Sequence, residues 1–167
     1  MSIIVTDERR DELVAELEEI ERRSGKGKAK WMKVRAAQRL AYMSAVCASP
    51  LFRGSLYYSL FAGTKSYMAL TVLSTAKAIL TAYPEHPPVA VYVDGLPKSR
   101  IRWFGVELRH LSIRTSKVVG VRKEEADALI RLADACCGFV RAALSGQNPE
   151  LRSLFEKAKR EAYFREV

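Results

Sequence analysis

Pro87-Pro88-Val89-Ala90-Val91-Tyr92-Val93-Asp94-Gly95 is an unbroken apolar run that ends in a carboxylate and a glycine. A Val-rich run of this kind suits a strand covered on both faces in a parallel sheet, and such sheets gather their ligands beyond the carboxyl ends of the strands. Asp94 stands at that end. Its alternatives are a ligand-binding carboxylate and a residue that caps the following turn.

Around this strand the pattern alternates. Ile3 to Val5 is a short strand candidate. Thr6 with Asp7 and Glu8 begins a helix, with a hydroxyl cap and acids facing the positive helix end. Leu13, Val14, Leu17 and Ile20 carry that helix to about Arg23. After the Ser24–Lys30 break, Val34, Ala37, Leu40, Ala41 and Ala45 mark a second helix. Phe52 to Phe61 reads as a strand, and Tyr67 to Tyr83 as a helix with Leu70, Leu73, Ala76, Ile79 and Leu80 inward. A short helix from Ser99 to Arg109, a β-branched strand from Ile113 to Val121 and a helix from Glu124 to Leu144 follow. A final helix runs from Pro149 to Phe164. Strand-helix alternation from Phe52 onward predicts parallel βαβ units.

The chain has 167 residues, enough for one cored domain and too few for two. We read 1–167 as a single domain, with 149–167 its C-terminal helix. No stretch approaches the roughly 20 apolar residues of a membrane span, and the N-terminus lacks a basic leader region, so a cytoplasmic protein is expected. Cys47, Cys136 and Cys137 show no metal or redox spacing and read as reduced core residues; His86 and His110 stand far apart.

Charge is unevenly spread. Residues 1–23 hold eight acids and four bases, 24–123 three acids and seventeen bases, and 124–167 eight acids and seven bases, giving −4, +14 and −1 for a net +9. A cationic body so poor in carboxylates predicts a nucleic-acid partner. Lys98, Arg100 and Arg102 crowd the start of a helix just after Asp94, where the helix dipole disfavours them unless a phosphate binds. Lys26, Lys28, Lys30 and Lys33 flank Trp31, a mixture that suits backbone contact and base stacking. Trp31 reads equally as a core anchor. The segment is not a Walker loop, because the closing Gly-Lys-Ser/Thr is missing.

Leu129-Ile130-Arg131-Leu132-Ala133-Asp134-Ala135-Cys136-Cys137-Gly138 is the other informative segment. Leu129, Ala133, Cys136, Val140 and Leu144 are the expected buried stripe, with Asp134 on its flank. A glycine inside a helix costs about 1 kcal/mol relative to alanine, so Gly138 predicts a close neighbour. Asp134 reads either as a functional acid or as a surface acid paired with Arg131.

Val91-Tyr92-Val93-Asp94, the basic pair Arg122-Lys123, the Leu-x-x-Leu-Ala-Asp-x-x-x-Gly helix and the Lys30-Trp31 step together resemble the bacterial and phage-borne "domain of unknown function 3800" family. The resemblance implies a three-layer RNase H-like α/β fold with a partly parallel central sheet. It implies a nuclease in which Asp94 and Asp134 act as catalytic metal ligands for Mg2+ or Mn2+, with Asp127 a weaker third acid. Two such ions about 4 Å apart would stabilise the attacking and leaving oxygens. Lys30, Trp31, Lys98, Arg100 and Arg102 would bind the nucleic acid. This chain departs from the family in lacking an opening Asp-Glu-Ser-Gly strand and hairpin. The expected fold is therefore N-terminally incomplete, completed by a missing segment or a homodimer, and the alternative function is a non-catalytic nucleic-acid-binding or interaction module.

Overall fold

The structure, a computed structural model, describes residues 1–63, 66–122, 127–146 and 148–167. It is a mixed α/β protein. In chain order the elements are β1 (Ser2–Ile3), α1 (Asp7–Arg23), α2 (Ala36–Val46), β2 (Leu56–Tyr58), α3 (Tyr67–Ala82), β3 (Val89–Asp94), α4 (Lys98–His110), β4 (Thr115–Val121), α5 (Ala128–Leu144), α6 (Pro149–Arg160) and β5 (Phe164–Glu166). Single 3-10 turns occupy Trp31–Lys33 and Pro50–Phe52.

The strands form two small sheets rather than one central sheet. β2 lies between β1, antiparallel, and β5, parallel, while β3 and β4 pair in parallel by themselves. Only β3-α4-β4 is therefore a βαβ unit within one sheet; the expected β2-α3-β3 unit is not, because β2 takes β5 as its parallel neighbour. The long Phe52–Phe61 strand shrinks to three residues. Pro50 starts a 3-10 turn and Gly54 adopts a φ of 76°, so the chain becomes extended only at Leu56.

β5 was concealed at the end of the expected last helix. Ala162, at φ 61°, stops α6, and Phe164 enters the core beside β2. Lys123 of the basic pair, the expected helix start at Glu124 and Gln147 of the turn before α6 lie outside the described residues.

Two apolar clusters hold the molecule. The larger joins α1, α2, α5, α6, β2 and β5 around Phe139, Phe155 and Phe164, whose rings lie within 5.6–5.8 Å of one another. The smaller joins Val72, Ala76 and Ile79 of α3 and Phe104 and Leu108 of α4 to Val91 of β3. Both helices thus cover one face of β3–β4. Ala90, Tyr92 and Asp94 on the other face are exposed, Tyr92 by 46 %. β3 is therefore covered on one face, not two. Its alternation was hidden because Ala and Tyr are apolar by class although they stand on the open side.

Two helices also turn out rotated. α5 buries Ala128, Leu132, Ala135, Cys136, Gly138, Phe139, Val140 and Ala143 and exposes Leu144. With apolar residues nearly all round, its phase is set by the bulk of Leu132 and Phe139. α3 buries Val72, Ser74, Ala76, Ala78 and Ile79 and exposes Leu80. No helix among the described residues is long and apolar enough to cross a membrane.

Candidate nucleic-acid interface

Because β3 and β4 are parallel, their carboxyl ends emerge together, with Asp94 opposite Val121. The chain then turns sharply. Gly95 takes a φ of 67° and donates its N–H to the Val121 carbonyl at 3.0 Å, and Leu96 drops into the smaller core. Gly120 of β4 makes room for this turn: a Cβ there would strike the Leu96 carbonyl oxygen and come within 3.0 Å of its carbon. Pro97, with φ fixed near the helical value, is the N-cap of α4.

Lys98, Arg100 and Arg102 follow, all exposed, and Arg122 leaves β4 at the same rim. The first turn of α4 contains no acid and no side chain caps it. Among the described residues, none of Asp94, Lys98, Arg100, Arg102 and Arg122 has a side-chain hydrogen bond or ion pair. Cations at a helix N-terminus are disfavoured by about 0.3–1 kcal/mol each. A polyanion on this rim would offset that cost. On the open sheet face next to it, the Lys117 ammonium lies 5.1 Å from the Tyr92 ring centroid. Neither residue was singled out from sequence; strict alternation along β3 was the signal that would have placed Tyr92 outward.

The second group of expected site residues is built into the core. Trp31 is 2 % exposed, and its indole lies against the backbone of Gly138, where an added Cβ would overlap the ring. Gly138 thus has the close neighbour that its place in a helix implied, and that neighbour is Trp31 as a core anchor. Asp134 accepts a hydrogen bond from the Trp31 backbone N–H at 3.2 Å. Arg39 donates to the Trp31 and Met32 carbonyls at 2.9 and 3.1 Å and lies 5.2 Å from the indole.

Just before Trp31, Lys26 turns inward. Its ammonium donates to Glu21 at 3.1 Å and to the Gly27 carbonyl at 3.2 Å, and lies 4.7 Å from the Tyr42 ring. Arg131 grips the same Glu21 carboxylate through two nitrogens at 2.8 and 2.7 Å, which raises the guanidinium above its ordinary pKa. Arg131 therefore engages Glu21, rather than pairing with Asp134 along the helix. Lys28, Lys30 and Lys33 remain exposed on this fixed loop.

The two carboxylates expected to share metal ions have separate surroundings. Asp94 stands free on the β3–β4 rim, whereas Asp134 supports the Trp31 turn. Asp127 is the N-cap of α5, accepting from the Ile130 N–H at 3.0 Å and paired with Arg10. Among the described residues no three His, Cys, Asp or Glu side chains gather into a group that would hold a metal ion. The described residues therefore do not by themselves assemble the donor set that a two-metal centre calls for. No protein-family model matches the chain, and comparisons with the curated proteins and the solved structures return no match.

Proposed function

We propose that this protein is a non-catalytic nucleic-acid-binding module whose contact surface is the rim where β3 and β4 end and α4 begins. The observation that carries the reading is the cationic group Lys98, Arg100, Arg102 and Arg122, unpaired among the described residues and set by parallel strand pairing at the end where β3 finishes in Asp94. Backbone phosphates are its natural complement. Lys117 over Tyr92 extends the surface with a cation and a ring, the pairing used for single strands. Lys30 would add charge from the 24–34 loop, while Trp31 would act by holding that loop. The free outer edges of β3 and β4 support self-association as a companion property; light scattering at micromolar concentration that returns only the monomer mass would remove it.

Fluorescence anisotropy with labelled single-stranded DNA and RNA, repeated from low to physiological salt, tests the binding. Contact with Z phosphates gives a slope of log K against log salt of about −0.7Z on single strands. A measurable affinity with a slope steeper than about −2 supports the reading. Absence of binding at low salt overturns it.

One observation favours a second reading, the RNase H-like Mg2+- or Mn2+-dependent nuclease: Asp94 stands unpaired where parallel sheets bind their ligands. In that reading Asp94 and Asp134 hold the metal, and the α/β architecture is a relative of the RNase H-like fold. Incubation of labelled DNA and RNA with Mn2+ separates the two. Cleavage abolished by Asp94→Asn establishes the nuclease; intact substrate bound with unchanged affinity by wild type and Asp94→Asn leaves the binding module.

A further inference from the structure

The face of β3–β4 turned away from α3 and α4 is built from residues set side by side by the parallel register: Ala90 with Lys117, Tyr92 with Val119, and Asp94 with Val121. Tyr92 stands at its middle, nearly half exposed. We propose that Tyr92 is a stacking platform for one unpaired base, which makes this surface selective for single-stranded nucleic acid over duplex. The inference rests on the nucleic-acid reading of the adjoining rim and assigns to Tyr92 what the rim's charges cannot supply, discrimination between the two strand forms.

Three observations carry it. The first is the ring itself. A tyrosine side chain offers a large apolar body that folding ordinarily buries, yet among the described residues Tyr92 meets no other aromatic ring. Its neighbours on the face are short, Ala90 two residues earlier and Val119 directly across, so the phenol stands above them. Trp31, the aromatic that lies among lysines in the sequence, cannot share the task, because it is buried against Gly138.

The second is Lys117, whose ammonium lies 5.1 Å from the Tyr92 ring centroid. In the other cation–ring contacts among the described residues the rings belong to Trp31, Tyr42, Phe155 and Tyr163, all buried. Tyr92 alone joins a cation to an exposed ring. An exposed cation–π contact is weak beside base–aromatic stacking, so a base can take the place of the ammonium over the ring. The lysine, a point charge on a flexible stem, is then free to meet the phosphate next to that base.

The third is access. β3 and β4 pair only with each other, so among the described residues no further strand extends this sheet on either side. Tyr92 stands two residues, about 7 Å of strand, before the end at which Lys98, Arg100, Arg102 and Arg122 gather. A flexible single strand held at the rim can lay a base on the ring. A duplex keeps both faces of each base covered by its stacked neighbours and reaches the ring only by expelling a base from the stack. The rim's charges attract the phosphates of both forms, which leaves the choice between them to Tyr92.

Fluorescence anisotropy of one labelled oligonucleotide, alone and annealed to its complement, tests the role in the intact protein across a salt series. Wild type is expected to bind the single strand about tenfold or more tightly than the duplex. Tyr92→Leu, which keeps an apolar side chain and removes the ring, should lose about tenfold on the single strand and much less on the duplex, with the salt slope unchanged. Tyr92→Phe should retain the preference. Lys98→Gln/Arg100→Gln should weaken both forms, flatten the slope and keep their ratio. The melting temperature of each variant is the folding control, and the wild-type comparison of the two forms needs no variant. Equal wild-type affinity for both forms, a preference kept by a folded Tyr92→Leu or one lost in Tyr92→Phe would overturn the stacking role and leave the rim reading standing. Absence of binding to either form at low salt would overturn both.

Discussion

Gly138→Ala decides whether the Trp31 turn is built into the core as described. In an open helix position the change would stabilise the protein by about 1 kcal/mol through helix propensity. Here the new methyl would overlap the indole ring, lying 2.7 Å from its Nε1. Trp31 has little freedom to retreat. Its N–H is bonded to Asp134, its carbonyl to Arg39, and its ring meets Phe139 edge-on at a centroid separation of 6.5 Å.

A small shift costs what overpacking usually costs, about 1–3 kcal/mol. Expulsion of the indole approaches the about 3–5 kcal/mol of losing a buried tryptophan. The overlap with a fixed ring is too deep for a small shift, so the second case applies; less the propensity gain of about 1 kcal/mol, the expected net loss is about 2–4 kcal/mol, read as a lower midpoint in urea at unchanged slope. For a chain of this length that lowers the melting temperature by roughly 5–15 °C. Trp31→Phe in the same background should recover part of the loss, a coupling between touching residues. A Gly138→Ala protein as stable as wild type, or more stable, would refute the packing.

The buried charge triad is equally exposed to test. Glu21→Gln leaves the Lys26 ammonium without its counter-charge in a site where the Glu21 and Lys26 side chains are 4 % and 1 % exposed, so a loss of about 3–5 kcal/mol is expected in urea unfolding; a loss below about 1 kcal/mol would contradict the buried pairing. Burial pushes the Cys47 thiol up to about 12, and burial, followed by the bond to Glu166, does the same to the Tyr58 hydroxyl. Both groups hold their protons longer folded than unfolded, so their stabilisation is full below their ordinary values of 9.0 and 10.0 and is lost as pH rises toward 12. Chemical unfolding from pH 8 to pH 11 should show falling stability; a flat profile would refute the burial. A thiol reagent at pH 8 should modify Cys137 rapidly in the native protein and Cys47 and Cys136 only in denaturant, since only Cys137 is exposed; rapid reaction of all three would say otherwise.

How far the sequence revealed this molecule varied with the kind of signal. α1 was legible in its extent, because the acids of its first turn and the 3.6-residue period agree with one another, although Thr6 does not make the hydroxyl cap bond expected of it. β3 was legible in extent, but its exposure was not, since hydrophobicity classes place Tyr92 and Ala90 with the valines. Three-residue strands such as β2 and β5 carry too few side chains to show a period, so β5 was absorbed into the helix before it. The strand partners were hidden for a related reason: pairing β2 with β5 joins segments more than a hundred residues apart, and nothing local encodes it.

The candidate site divides in the same way. Lys98, Arg100 and Arg102 were found because three cations at a helix start are electrostatically out of place, a local and readable anomaly. Asp134 was also found, and Gly138 correctly signalled a close neighbour. That the neighbour is Trp31, and that Asp134 serves Trp31's backbone, depends on the 24–34 loop folding back across α5. Lys26 illustrates the point most sharply: a lysine in a Gly-Lys-Gly-Lys segment reads as solvated, yet it is buried against Glu21. Its partner lies only five residues back, but the Tyr42 ring of α2 and the Arg131 guanidinium of α5 that enclose the pair come from tertiary packing.

The account rests on the β3–β4 rim as a phosphate-binding surface, and the salt dependence of single-strand binding by wild type and by Lys98→Gln/Arg100→Gln/Arg102→Gln addresses it directly. Three lost phosphate contacts should flatten the slope of log K against log salt by about 2 and weaken binding most at low salt. A triple variant that keeps both the wild-type slope and the wild-type affinity would contradict the assignment of this rim.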